Sequence, residues 1–238
     1  MNIALIFAGG TGQRMNSRSK PKQFLEIYGK PIIIHTIEHF EFHEMIDKIV
    51  VVCIKPWIEE LNGLLKRYGI NKVCSVIPGG STGQESIHLG LAEINKFAKE
   101  KDVVLIHDGV RPLINEGLIT KNIDAVLKYG SAISSEYVRE SIILSNDRES
   151  VSDMPPRDKL CVAKAPQSFY FEEIYALYNK AKEEQFASID SAHLCHHYQK
   201  KLHIVESTKN NIKVTEPGDY YIYRALYEAL ESQQLYGI

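Results

Sequence analysis

The sequence predicts a three-layer α/β domain with a mostly parallel sheet, and three observations lead there. Short apolar runs rich in valine and isoleucine alternate with longer stretches of helical period. That alternation is the mark of βα units joined by right-handed crossovers. The chain has 238 residues, 44% hydrophobic and 24% charged, enough to bury one sizeable core.

Each element follows from its own residues. Residues 2–7 (NIALIF) read as a buried strand, apolar throughout and closed by glycines. After a loop, Pro31 and IIIHTIEHFEFH predict a helix, since proline's fixed φ suits a first turn. DKIVVVCI (47–54) is a second buried strand, and PWIEELNGLLKRYG (56–69) a helix stopped by glycine. KVCSVIP (72–78) is a third strand, followed by a glycine pair and a helix over 84–99. DVVLIH (102–107) is a fourth strand, ending at Asp108, and EGLITKNIDAVLKYG (116–130) another glycine-stopped helix.

The pattern breaks at 131–165. Strand-like pieces flank a polar turn (145–149), with Pro155-Pro156 beyond it, which predicts a β-hairpin arm at about 136–160 projecting from the body. The final third returns to helices at 171–183 and 190–199, a strand in LHIVES, the segment NNIKVTEP, and a helix from about Pro217. No repeat or low-complexity segment interrupts this, so the expectation is one Rossmann-like domain, residues 1–238, carrying one arm.

A net charge of −2 speaks against a nucleic-acid or membrane surface. The longest apolar run, IALIFAGG, is too short to cross a bilayer. The four cysteines show no CxxC pairing. With no signal-peptide pattern, reduced thiols and a cytoplasmic location are the expectation.

Ligands of open α/β sheets gather at the carboxyl ends of strands. There lies AGGTGQRMNSRSKPKQ, residues 8–23. A dinucleotide fingerprint needs a third glycine where Met15 stands, and Pro21 delays any helix; a P-loop needs Gly-Lys-Ser/Thr, which is absent. What remains is a glycine loop whose backbone N–H groups approach a polyphosphate closely, with Arg14 and Lys22 placed to neutralise it. An isolated GGxG would as readily be a plain turn beside solvated basic residues. The full run is more specific, and it resembles the loop AGGxGxR…PK of sugar- and polyol-phosphate nucleotidyltransferases.

Four further stretches narrow the resemblance. IHDGVRP (106–112), PGGSTGQESI (78–87), APQSF (165–169) and NNIKVTEPGD (210–219) keep their order and spacing. They resemble the HDAARP, GGxxRxxSV, TPQ and NIKVTxPED segments of the polyol-phosphate cytidylyltransferases, which make CDP-methylerythritol and CDP-ribitol. The match runs from residue 3 to about 225. It implies that CTP is held by Phe7, Ala8, Gly9, Gly10, Thr11, Gly12, Gly79, Gly80, Ser81, Ser86 and Gly109. It implies acceptor contacts from Arg111, Arg139, Glu140 and Asp190. It also implies a homodimer in which Arg157, on the partner's arm, joins Lys213 at the acceptor phosphate.

The chemistry has its own logic. A phosphate monoester with a second pKa of about 6 is already an anionic nucleophile at neutral pH, so no general base is required. Catalysis then needs positive charge and in-line positioning. Arg14 and Lys22 would take the charge of the α-phosphate and leaving pyrophosphate, and Asp108 would help hold a bridging Mg²⁺.

Departures from the family pattern cluster on the acceptor side. Gly83 stands where the GGxxRxxSV loop has its arginine, Ala165 replaces the threonine of TPQ, and Ile189-Asp190 replaces Thr-Asp. In the arm, Arg139-Glu140-Ser141 replaces a segment ending in Asp-Thr. Losing two hydroxyls changes what a polyol pocket can bond. D-ribitol 5-phosphate is therefore the expected acceptor, its product feeding a teichoic acid or capsular polymer, with 2-C-methyl-D-erythritol 4-phosphate as the alternative. Two rivals stand beside this reading. One is a metal site at His193 and His197 with Asp190 and Cys195 near them, and the other a nucleotide-binding module without turnover.

Overall fold

The computed structural model describes residues 1–9 and 20–236. Its centre is a seven-stranded sheet in the order β5-β4-β1-β6-β8-β7-β9. The parallel half comprises β1 (Asn2–Ala8), β4 (Lys48–Cys53), β5 (Val73–Pro78) and β6 (Val103–Asp108). Two-residue alternation sorts its side chains between two cores. Ala4, Ile6, Ile49, Val51 and Leu105 face one layer; Ile3, Leu5, Val50, Val52, Val104 and Ile106 face the other. Both faces are covered, which is why these strands read as continuous apolar runs.

The first layer is α1 (Ile32–Glu41), α2 (Ile58–Arg67) and α4 (Glu116–Tyr129); the second is α3 (Gly83–Ile94), α5 (Phe171–Glu183) and α6 (Ser191–His197). A third cluster packs α7 (Pro217–Tyr236) through Tyr223 onto Ile32, Val110 and Val214. Helix α4 has both expected end signals: the Asn115 side chain accepts from Leu118 N–H, and Gly130 caps the far end at φ 86°. Helix α3 stops at Ile94, short of the expected residue 99, because the chain turns at Asn95 and packs Phe97 and Ala98 against the second core.

The stretch from 131 to 170 divides between the sheet and an excursion from it. β7 (Ser131–Tyr137) and β8 (Cys161–Tyr170) are full members of the sheet, and the long ladder between them is antiparallel. β8 also pairs antiparallel with β6, and β9 (Ile204–Glu206) closes the edge in parallel with β7. Between β7 and β8, residues 138–160 form an exposed excursion whose strand pairing is an isolated bridge, Leu144 to Asp153. The excursion spans nearly the residues expected for the arm, 136–160, and an isolated β-bridge stands in place of a hairpin ladder.

One small element had no expectation: β2 (Glu26–Ile27) and β3 (Lys30–Pro31) make a hairpin through Tyr28 and Gly29. Both turn residues have positive φ (52° and 76°), the signature of a tight primed turn.

Candidate active site

Two clefts open at the carboxyl end of the parallel strands and share Phe7, Gly83, Asp108 and Lys213. The first, about 400 Å³, lies between the end of β1 and the start of α3. Its wall is backbone brought close by small residues. A Cβ on Gly9 would come within 2.8 Å of Ser86 Oγ, and one on Gly79 within 2.9 Å of the same atom. Ser86 Oγ accepts from Gly80 N–H and donates to the carbonyl of Thr82, so this hydroxyl locks the glycine turn onto α3. Thr82 caps α3 by accepting from Glu85 N–H, and the Glu85 carboxylate accepts from Ser81 N–H and O–H. Gly109 sits against Ala8, where a Cβ would come within 2.9 Å of the Ala8 Cβ.

Ala8, Gly9, Lys22, Gly80, Ser81 and Ser86 line this cleft together with Phe7. Gln23 ties the return of the loop to the strand end, its Nε2 donating to the carbonyl of Ala8 at 2.7 Å. Gly10, Thr11, Gly12 and Arg14 lie outside the described residues.

The second cleft, about 320 Å³, runs from Asp108 toward β8, α5 and the start of α6. Alternation along β6 puts His107 on the α1 side, where its ring packs on Phe40 at 5.1 Å. Asp108 faces the opposite side, at the junction of the two clefts. Its Oδ1 pairs with Lys213 Nζ at 2.6 Å and its Oδ2 with Arg111 Nε at 2.8 Å. Burial alone would raise this carboxyl's pKa, but the Lys213 and Arg111 charges outweigh it and hold the pKa at about 2. Asp108 is therefore ionised, and Lys213 is fixed at the mouth shared by both clefts.

Arg111 is braced in turn. Its Nη1 donates to the carbonyl of Asn211, whose side-chain amide donates to the carbonyl of Ala165 at 2.6 Å. The strap carrying Lys213 is thereby bound to both β6 and β8, and Val214 N–H completes it on the carbonyl of Val110. Asp190 lines the second cleft while capping α6. One carboxylate oxygen accepts from His193 N–H and the other from Gln167 Nε2.

Arg139, Glu140 and Arg157 lie on the exposed excursion, where Arg157 Nη1 donates to the carbonyl of Arg139; they do not line either cleft within this chain. Lys164 was not anticipated. Its buried ammonium borders the second cleft, pairs with Glu136 at 2.6 Å, and faces the carbonyls of Thr208 and Lys209. A lone lysine in a strand gives no pattern that would single it out.

The histidine-rich stretch serves α6 and its packing. The His197 ring stacks on Phe186 at 3.7 Å, and burial pushes the Cys195 thiol up to about 12. A thiolate ligand at that position is disfavoured, and the Asp190 carboxylate is already held by α6 and Gln167.

Comparison with known proteins accords with this geometry. The chain is 48% identical over 239 residues, all of both chains, to ribitol-5-phosphate cytidylyltransferase of Streptococcus agalactiae serotype Ia. It is 35% identical over 229 residues to 2-C-methyl-D-erythritol 4-phosphate cytidylyltransferase of Clostridium botulinum, covering 96% of this chain and 98% of the relative. A solved 4-diphosphocytidyl-2C-methyl-D-erythritol synthase from Anaerococcus prevotii superposes with a TM-score of 0.81 at 26% identity, covering 95% and 98%. The family model described as IspD: 2-C-methyl-D-erythritol 4-phosphate cytidylyltransferase matches residues 2–228. With its two clefts meeting at one buried charge cluster, the chain belongs to this cytidylyltransferase family.

Proposed function

We propose that this chain transfers the cytidylyl group of CTP to D-ribitol 5-phosphate, giving CDP-ribitol and pyrophosphate. The observation that carries the reaction is the placement of Lys213 and Asp108 on the wall shared by two clefts. The full-length 48% identity to ribitol-5-phosphate cytidylyltransferases favours the acceptor. CTP occupies the glycine-walled cleft, with Gly80, Ser81 and Ser86 toward the nucleoside and Lys22 and Arg14 toward the phosphates. The acceptor occupies the second cleft.

The acceptor's phosphate oxygen attacks the α-phosphorus of CTP in line. A new P–O bond forms, the bond to the β-phosphate oxygen breaks, and pyrophosphate leaves with that electron pair. Lys213, fixed by Asp108, supplies positive charge where the two phosphates meet, and Lys22 and Arg14 stabilise the leaving group. Arg111 and Asn211 keep that arrangement rigid. Asp108 suits a divalent cation held mainly by phosphates, because each oxygen keeps a further lone pair beyond its ion pair. When bound, Mg²⁺ would neutralise phosphate charge at that position.

The excursion between β7 and β8 exposes Ile143, Leu144, Val151 and Met154 to solvent. An apolar run of this kind suits burial against a second copy, which would bring Arg157 and Arg139 to the partner's acceptor cleft. The reaction would take place in the cytoplasm and supply a ribitol-phosphate polymer of the cell surface.

Pyrophosphate release with CTP and a panel of acceptors tests the reading. D-ribitol 5-phosphate should give the highest kcat/KM; equal or better turnover of 2-C-methyl-D-erythritol 4-phosphate would overturn that acceptor in favour of the compound named by the family model. For the dimer, Arg157→Ala and Lys213→Ala should each be inactive alone and regain activity when mixed. Absence of recovery would refute the exchange of arms.

A further inference from the structure

The acceptor-side cleft contains one hydroxyl that the protein leaves unused. Among the described residues lining it, Ser191 Oγ is bonded to Tyr178 OH at 2.8 Å. Both ends of the Gln167 amide are engaged, by Asp190 and by Ala192 N–H. Asp190 uses both carboxylate oxygens. Ser188 lines the same cleft, yet its Oγ is buried with no partner. A buried polar atom without a partner inside an otherwise satisfied network marks a place where a ligand group completes the bonding. Rotation about χ1 moves a serine hydroxyl between staggered wells, so this oxygen can turn into the cleft without moving the backbone.

The backbone under it is held from an unexpected direction. Gln84, the second residue of α3, spans to this loop with both ends of its amide. Its Oε1 accepts from Ser188 N–H at 2.8 Å and its Nε2 donates to the carbonyl of Phe186 at 2.9 Å. Gln84 also borders the acceptor cleft, one residue from Gly83, which lines both clefts. The helix whose first turn closes the nucleotide cleft therefore also sets the height of Ser188 in the acceptor cleft.

We propose that Ser188 recognises one hydroxyl of the acceptor's polyol chain and that Gln84 is its positioning residue. The inference rests on the polyol-phosphate reading and deepens it. It explains how a cleft with Ala165 and Ile189 in place of two threonines still offers a hydroxyl to a polyol: the donor has moved one residue along the same loop.

The experiment is steady-state kinetics on the full chain with D-ribitol 5-phosphate and each of its monodeoxy forms. Ser188→Ala should raise the KM for D-ribitol 5-phosphate by about five- to tenfold, the worth of one neutral hydrogen bond, with the KM for CTP within about twofold of wild type. One monodeoxy acceptor should be poor with the wild type and suffer no further loss with Ser188→Ala, and Ser188→Thr should restore discrimination. Gln84→Met should reproduce the acceptor defect, and the double variant should be no worse than Ser188→Ala. An unchanged acceptor KM in Ser188→Ala overturns the proposal. So does a parallel rise of both KM values with a lowered Tm, which would mean a purely structural role. No turnover of D-ribitol 5-phosphate by the wild type would instead refute the acceptor assignment itself.

Discussion

The two clefts meet at Asp108 and Lys213 but are built from different materials. The cleft proposed for the nucleotide is backbone: Gly9 and Gly79 press against one serine hydroxyl, and the turn from Gly80 to Thr82 is pinned by Ser86 and Glu85. The cleft proposed for the acceptor is side chains and charge: Arg111, Lys164, Gln167 and Asp190, each held by a partner from another element. A backbone wall recognises what every nucleotide presents, through N–H groups that cannot change rotamer. A side-chain wall can be re-cut one residue at a time. Substrate range is therefore expected to vary on the acceptor side, and the departures at Ala165 and Ile189 fall there.

Removing the lysine shared by both walls should have the largest effect. Lys213→Ala takes the cation from the point where the phosphates meet, and kcat should fall by about 10² to 10³, the loss typical of one transition-state donor. It also leaves the buried Asp108 carboxylate with Arg111 as its remaining ion-pair partner, so the Tm should fall as well. Pyrophosphate release and thermal unfolding check both halves, and a loss confined to KM would show that the ammonium only binds ground-state phosphate.

Gly79→Ala attacks the backbone wall alone. The new Cβ meets Ser86 Oγ at 2.9 Å and the Gly9 Cα at 3.2 Å, an overpacking of about 1–3 kcal/mol. The KM for CTP should rise by about tenfold or more while the acceptor KM stays put. Equal changes in both would erase the distinction between the walls.

The pH dependence of stability probes the buried floor beneath the junction. His107 is fully buried, and burial lowers its pKa to about 3 against an ordinary value near 6.5. Below about pH 6.5 the unfolded chain binds a proton that the folded chain refuses, so stability falls as pH drops, by up to about 1.4 kcal/mol per pH unit until about pH 3. Asp108 acts in the same direction at lower pH. Its folded pKa of about 2 makes its ion pairs stabilising above the ordinary carboxylate range, and this is lost as pH falls from about 4 through 2. His107→Gln keeps an N–H for the Arg111 carbonyl, which His107 Nε2 contacts at 3.2 Å. In denaturant titrations it should flatten the stability curve between pH 6.5 and 4; an unaltered slope would place the titration elsewhere.

The smallest expected effect concerns the root of the arm. A double-mutant cycle on Lys164→Met and Glu136→Gln should give a coupling of about 1 kcal/mol in unfolding free energy, since Glu136 is partly solvated. A coupling near zero would leave Lys164 to the acceptor cleft alone.

The parallel half of the sheet was legible because its signals are local. Continuous apolar strands, Asn115 and Gly130 at the ends of α4, and the glycine stop after α2 each act within a few residues. The antiparallel half was less legible for a physical reason. β7 is SAISSEY, and its buried Ser131, Ser134 and Ser135 break any apolar alternation. Those hydroxyls are affordable because Asn122 donates to Ser134 and accepts from Ser168, a polar network running through the core. The β2–β3 hairpin escaped because a tyrosine, not glycine or asparagine, occupies the first left-handed position of its turn.

The sequence by itself determined the α/β class and the strand ends at which the two clefts open. Only the tertiary structure decided how the charges pair, and hence that Asp108 holds Lys213 and Arg111 and that Gln84 sets the position of Ser188. The reason is distance along the chain: Arg111 meets Asn211 across 100 residues and Gln84 meets Ser188 across 104. Periodicity and capping act within a turn or a strand, whereas such pairs exist only after the cores have brought β6, β8 and α3 together.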